Sequence, residues 1–424
     1  MDSCKKNIWI FNHYAGPPSI TGMTRHYNFA KKLETAGYRA TIFCASEQHN
    51  LNFSVIKDDS NYLELKEHGV SFVYLKTGEY RGNGMQRIKG MYRFYAQLMN
   101  NYKEFITLYS LPDVIIGSSA HPMAALAGIR LSKAIGCKNI VEVRDLWPEA
   151  IFEYRPHLKT TLLGDLLVRG ERWIYKNADA IIFTKEGDVD YMREKKWNIE
   201  SGGDISLSKC YYINNGVDIE EFDKSMACNS FIDEHLENGK FNVIYTGAVR
   251  DINNVQRIVG AAKLVKSTYP EIQFLIYGDG NRLEELRDIV AKENIFNVIL
   301  KGMIEKKYIP YVLSKASITL LNYGQSTYNW SRGNSSNKLF EYMAAGKPII
   351  STVEMGYCLI NRYNCGVSLP KDTDIELADT VCNFYNMPQS ERDRLGKNAR
   401  IAARNFDFNI LSQKLIQVIE EVCK

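Results

Sequence analysis

The chain has 424 residues, of which 45% are hydrophobic and 24% charged, with 53 lysines and arginines against 49 acids. That length favours two domains, and a net charge of +4 excludes the strongly basic character of a nucleic-acid binder while leaving room for a local basic face. Nine cysteines, an odd number with no Cys-x-x-Cys pair, point to a reducing compartment and structural thiols.

Taken in chain order, apolar runs alternate with segments of helical period. The runs at 7–11, 40–44, 72–75, 114–117, 140–143, 180–183 and 209–213 read as buried parallel strands. Helical segments lie between most of them, as at 23–36 and 122–135. The second half repeats this plan without repeating the sequence, at 241–246, 271–277, 298–301, 318–321 and 348–352. The turn-rich stretch Asn214-Asn215-Gly216-Val217-Asp218 separates the halves, and 406–424 reads as a last amphipathic helix. The predicted fold is therefore α/β: two doubly wound, Rossmann-like domains facing a cleft, with the final helix crossing back to the first. The expected divisions are 1–213, 214–405 and 406–424. The apolar run Ile8-Trp9-Ile10-Phe11 is too short for a signal peptide, and no stretch reaches the roughly 20 apolar residues of a spanning helix. The expected location is the cytoplasm, at most peripheral on the inner membrane.

A nicotinamide enzyme would run its first strand into Gly-x-Gly-x-x-Gly. Here the strand meets Asn12-His13-Tyr14-Ala15-Gly16-Pro17-Pro18, a wide polar loop unsuited to a dinucleotide. The strongest chemical signal lies late, at Ser335-Ser336-Asn337-Lys338-Leu339-Phe340-Glu341-Tyr342-Met343-Ala344-Ala345-Gly346-Lys347-Pro348. It reads as a polar turn, a short helix and a glycine stop. Ser and Asn suit the cap of a helix whose first amides stay available to an anion, and Lys338 adds a full charge. Glu341, one turn in, is placed to accept hydrogen bonds from sugar hydroxyls. A nucleotide diphosphate offers phosphates and then a ribose in that order.

These motifs, with Gly22-Met23-Thr24-Arg25-His26, Glu142-Val143-Arg144-Asp145-Leu146-Trp147-Pro148-Glu149, Tyr245-Thr246-Gly247 and Tyr277-Gly278-Asp279-Gly280, resemble those of family 4 glycosyltransferases of the GT-B fold. The resemblance is to the branch that builds bacterial surface polysaccharides and includes fucosamine transferases. It implies a retaining transfer of a sugar from a nucleotide-diphosphate donor, a UDP-sugar by the branch, without metal or cofactor. The acceptor it implies is a saccharide, lipid-diphosphate-linked in many such enzymes, and no nucleic acid is implied. Donor binding falls to Gly247, Arg250, Gly302, Ser336, Asn337, Lys338, Leu339 and Glu341. The family pattern carries a second glutamate where this chain has Gly333, so the sugar is expected to be held differently, as a deoxy or N-acetylated sugar would be.

His121 follows a buried strand in Gly117-Ser118-Ser119-Ala120-His121-Pro122, and the resemblance implies a hydrogen bond from it to the transferred sugar. A capping loop histidine is the plainer reading. Asp145 and Glu149 read either as paired catalytic carboxylates or as a helix cap and first-turn acid. Asp145 is assigned to the catalytic centre or acceptor side. Gly22, Arg25 and His26 open a helix and are assigned to the acceptor side, with an ordinary surface helix as the alternative. Asp188-Val189-Asp190 reads as a helix start, and no metal is expected.

Residues 80–105 hold Arg81, Arg87, Lys89, Arg93 and Lys103, with Ile88, Met91, Tyr92, Tyr95, Leu98, Met99, Tyr102 and Phe105 at helical spacing. The segment suits an anionic membrane surface or a core-facing helix with a solvated basic side. Two further functions share the predicted architecture: a hydrolysing nucleotide-sugar epimerase, and a nucleotide-sugar-binding subunit without catalysis.

Overall fold

The computed structural model describes residues 5–20, 22–47, 54–78, 84–119, 121–325 and 330–424. They form two units, one of residues 1–214 with 408–424 and one of residues 215–407.

The first unit holds β1 (Asn7–Phe11), β2 (Arg39–Ala45), β3 (Tyr62–Glu67), β4 (Val70–Leu75), β5 (Val114–Ser119), β6 (Lys138–Val143), β7 (Ala180–Phe183) and β8 (Cys210–Tyr212). Their order across the sheet is β3-β4-β2-β1-β5-β6-β7-β8. All pairings are parallel except β3 with β4. The second unit holds β9 (Phe241–Thr246), β10 (Ile272–Tyr277), β11 (Val298–Gly302), β12 (Ile318–Leu321), β13 (Ile349–Ser351) and β14 (Gly366–Ser368), in the order β11-β10-β9-β12-β13-β14, all parallel. Six helices bear on function: α1 (Arg25–Thr35), α2 (Met85–Tyr109), α3 (Pro122–Ile135), α4 (Leu162–Asn177), α5 (Asn337–Ala345) and α6 (Phe408–Val422).

Strand pleat explains the continuous apolar runs. Successive side chains point to opposite faces, and a parallel sheet is covered on both. Ile8 and Ile10 of β1 face Phe29 and Leu33 of α1 and Leu415 and Ile419 of α6. Trp9 and Phe11 face Phe94 and Leu98 of α2 and Ala127 and Leu131 of α3. β9 divides the same way, Ile244 packing with Leu339 and Phe340, and Val243 and Tyr245 with Ile258 and Leu377. The last helix thus belongs to the first unit, where Glu420 accepts from Lys6 and from the Tyr38 hydroxyl.

Two strands lie beyond the sequence expectation. β3 is an edge strand with largely exposed side chains, and β14 has three residues, so neither presents an apolar run.

Candidate functional site

The carboxyl ends of the second unit's strands gather residues expected from the sequence to bind the donor. β9 ends at Thr246, whose main chain is clasped by Tyr342 of α5: Thr246 N–H donates to the Tyr342 oxygen at 3.0 Å and the hydroxyl donates to Thr246 O at 3.2 Å. This pins the start of α5 beside Gly247. The Lys338 ammonium donates to the Tyr245 oxygen at 3.2 Å, and that hydroxyl donates to Ala248 O at 2.7 Å. The ammonium also lies 4.8 Å from the Tyr245 ring centre and 4.2 Å from that of Tyr323. Aromatic faces attract a cation without neutralising it. Among the described residues Lys338 makes no ion pair, and burial pulls its pKa down to about 7 against the opposing pull of Glu341.

Glycines let main chain crowd in here. Gly278 has φ +154°, and a Cβ on it would run into the Gly247 carbonyl. Gly278 N–H donates to Gly302 O at 2.7 Å, and Gly247 N–H to Tyr277 O at 2.9 Å. A Cβ on Gly247 would stand 2.9 Å from the Lys338 side chain. The structure thus brings Gly247, Gly302 and Lys338 together.

At the front of α5, Ser336 holds the cap position with extended backbone, but its side chain makes no capping bond, contrary to the sequence expectation. The turn is organised from elsewhere. Asn334 accepts from Ser336 N–H at 2.7 Å. Asn215 donates to both Ser335 O and Asn337 Oδ1 at 2.8 Å. Leu339 is fully buried in the core, so only its main chain reaches a ligand site, and its N–H donates to Ser336 O at 3.3 Å. Glu341 lies on α5, 3.9 Å from Lys306, and burial raises its carboxyl above the usual range. Arg250 is half-buried before the turn Asp251–Asn253 and has no side-chain hydrogen bond or ion pair among the described residues. Gly333 has φ +105°, a conformation that penalises the glutamate of the family pattern.

In the first unit, Arg25 and His26 do not form the exposed helix start that an acceptor-side role suggests. Both are buried on Glu142 of β6. Glu142 Oε2 accepts from Arg25 at 2.9 Å, and Oε1 accepts from His26 Nε2 at 2.9 Å and from Ser118 at 2.7 Å. Arg25 also donates to Ile213 O at 2.9 Å and Asn214 O at 2.5 Å. Burial works to raise the Glu142 carboxyl, yet Arg25 and His26 outweigh it and hold it well below the usual range. Gly22 is exposed one turn earlier.

His121 caps α3, its Nδ1 accepting from Met123 N–H at 3.3 Å. Burial, aided by Arg87, pulls its pKa down to about 3. The ring is therefore neutral, with Nε2 carrying the hydrogen, and that atom has no hydrogen-bond partner among the described residues. The ring stands 4.8 Å from that of His13. Asp145 is exposed beyond the end of β6. Glu149 is buried and paired with Lys195 at 2.5 Å and Lys159 at 3.4 Å, which makes it a structural first-turn acid. Asp188 and Asp190 begin the helix Asp188–Glu194, with Asp190 paired to Arg193 at 2.6 Å.

α2 divides its apolar residues. Met91, Leu98 and Phe105 join the core, whereas Met85, Ile88 and Tyr92 are exposed. Arg87 donates to the Tyr14 hydroxyl at 3.1 Å, and Arg93 to Thr77 O at 3.2 Å. Tyr80 and Arg81 lie outside the described residues.

Sequence reasoning missed Tyr245 and Tyr323 as the frame of Lys338, Tyr342 as the clasp on Thr246, and Glu142 as the partner of Arg25. A lone carboxylate within the apolar strand Ile140-Val141-Glu142-Val143 was the available signal, since a buried charge demands a partner.

The chain is similar to known proteins in both halves of its sequence. The family model described as "Glycosyl transferase 4-like domain" matches residues 21–200, and "Glycosyl transferases group 1" matches residues 229–402. The chain is similar to the probable glycosyltransferase WbjE of Pseudomonas aeruginosa, with 22% identity over 64% of this chain and 66% of that one. It is similar to the putative teichuronic acid biosynthesis glycosyltransferase TuaH of Bacillus subtilis, with 26% identity over 50% of each. The chain thus spans about half to just under two thirds of the length of these curated relatives. The fold matches HepE of Anabaena crystallised with UDP, with a TM-score of 0.65 and 13% identity over 98% of this chain and 100% of that one. The two family models, one on each half of a GT-B fold, show that the chain belongs to the family 4 glycosyltransferases.

Proposed function

We propose that this protein is a retaining glycosyltransferase that moves a sugar from a UDP-sugar to a lipid-diphosphate-linked saccharide in bacterial surface-polysaccharide synthesis. The observation that carries the reading is Lys338, a half-buried ammonium framed by Tyr245 and Tyr323 with no ion pair among the described residues, at the start of a helix without a side-chain cap. A leaving diphosphate develops negative charge, which that ammonium, Arg250 and the first amides of α5 are suited to stabilise without a metal ion. Glu341 accepts the ribose hydroxyls. His121 donates Nε2–H to a hydroxyl of the transferred sugar, and Asp145 serves the acceptor side. Gly22 stays with the acceptor, while Arg25 and His26 act on it only through Glu142. The conformation of Gly333 suits a donor sugar held without a second carboxylate, such as a deoxy or N-acetylated sugar. Membership of the family supports retention of configuration.

No helix among the described residues is long and apolar enough to cross a membrane. We place the enzyme in the cytoplasm, with Met85, Ile88, Tyr92 and Lys89 at the start of α2 touching the inner membrane.

A thermal-shift screen of UDP, GDP and their sugars tests the reading. A ligand that binds only the folded state raises the melting temperature by mass action. UDP is expected to stabilise the protein, with or without EDTA, and absence of any nucleotide shift overturns the donor assignment. Incubating the stabilising sugar nucleotide without acceptor is expected to give slow hydrolysis only. Rapid conversion to an epimeric sugar identifies the epimerase instead.

A further inference from the structure

A second apolar surface of the first unit is left unused by these assignments. Between residues 154 and 170, Tyr154, Leu162, Leu163 and Leu166 are exposed, Leu162 at 90% and Leu166 at 66%. A cluster of exposed apolar side chains, unlike scattered ones, marks an interaction surface. Arg155, Lys159 and Arg169 stand exposed among them, and Asp165 is the one acid of the stretch. Lys159 is partly engaged by Glu149.

Behind this surface lies a cavity of about 210 Å³ between α3 and α4. Met123, Leu126, Leu167, Ile174 and Trp147 wall it, and Leu166 and Trp173 belong both to the wall and to the exposed surface. Its buried carboxylate, Glu171, is turned to the tyrosines: Tyr175 donates to it at 2.8 Å and Tyr191 at 2.6 Å. Its remaining lining is largely apolar. Exposed leucines and an aromatic ring, with exposed arginine and lysine in the same stretch, match the two layers of an anionic membrane surface, acyl chain below and charged head group above.

We propose that the surface formed by Tyr154, Leu162, Leu163, Leu166 and Trp173 docks on an anionic lipid bilayer, and that the cavity behind it takes up an aliphatic chain of a bilayer lipid. This surface is separate from the start of α2. Asp145 also lines the cavity, so a lipid seated there stands beside the residue assigned to the acceptor; that last step rests on the acceptor reading, whereas the docking does not.

Sedimentation with phosphatidylglycerol–phosphatidylcholine vesicles tests the proposal. Wild type is expected to co-sediment, and L162D/L166D to lose about tenfold or more in affinity, since two leucine side chains are removed from the interface. Vesicles with brominated acyl chains are expected to quench tryptophan fluorescence in wild type and much less in W173F. Sedimentation of L162D/L166D equal to wild type overturns the proposal, as does unchanged quenching in W173F. Dissociation of a dimer by L162D/L166D, with neither protein binding vesicles, makes the surface a self-interface and equally overturns it. UDP-induced stabilisation of both proteins is measured alongside. Its loss with vesicle binding intact removes the donor reading and leaves the docking standing.

Discussion

Lys338 and Tyr323 form a cation–aromatic pair in the second unit, the ammonium 4.2 Å from the ring centre, and this pair lies at the proposed donor site. Burial holds the lysine at about 7, far below its value in an unfolded chain. A diphosphate beside it favours the charged form, so UDP binding is expected to take up a proton near pH 7. Affinity should be level below pH 7 and fall as pH rises above it. Calorimetry in buffers of different ionisation enthalpy measures the uptake. K338M is expected to weaken UDP by about ten- to a hundredfold and to flatten the pH dependence. Between about pH 7 and 10 the unfolded chain holds more protons at this residue than the folded one, so its contribution to stability rises with pH across that window.

Glu142 is the anchor of Arg25 and His26. Its removal leaves a guanidinium buried without its counter-charge. E142Q is expected to lose about 3–5 kcal/mol in urea unfolding. The folded carboxyl is held below its unfolded value, so its contribution is present above about pH 4.5 and lost as pH falls through the folded value. The acid limb of the stability curve should therefore flatten in E142Q.

His121 is held neutral at every pH above about 4, because its pKa lies near 3. Turnover should show no inflection near pH 6.5 from this residue. H121A is expected to lower kcat by about a hundredfold with UDP affinity unchanged. It also removes a helix cap, at about 1 kcal/mol. H121N keeps a capping side chain, so it should restore the melting temperature without restoring kcat. Equal activity of wild type and H121N removes the sugar contact.

G333E restores the family's carboxylate at a backbone with φ +105°. The strain is expected to cost about 1–3 kcal/mol, read as a lower melting temperature. No gain in turnover with UDP-glucose is expected, since the loop carries no conformation for that side chain.

Much of the fold was legible because buried parallel strands repeat a continuous apolar signature, as in Phe241–Thr246 and Ala180–Phe183. β3 escaped because Tyr62–Glu67 lies at an edge with its side chains in water. The bounds of α5 were legible from Ser336 and Gly346, since cap positions and stops are local, although the Ser336 side chain makes no capping bond. The aromatic frame was not, because Tyr245 and Tyr323 come from distant strand ends. Arg25 and His26 misled because their partner Glu142 is more than a hundred residues away. A basic pair at a helix start looks alike whether it awaits a ligand or a carboxylate of its own chain.

The return of α6 to the first sheet has a consequence for biosynthesis. Residues 1–214 emerge from the ribosome early, yet the hydrophobic groove over Ile8, Ile10 and Phe29 waits for Leu411, Leu415 and Ile419. The domain begun first is therefore completed last, after the entire second domain has been translated. A gene fragment ending at residue 214 should yield a sticky, chaperone-dependent product, whereas one splicing 408–424 directly after it restores the missing lid.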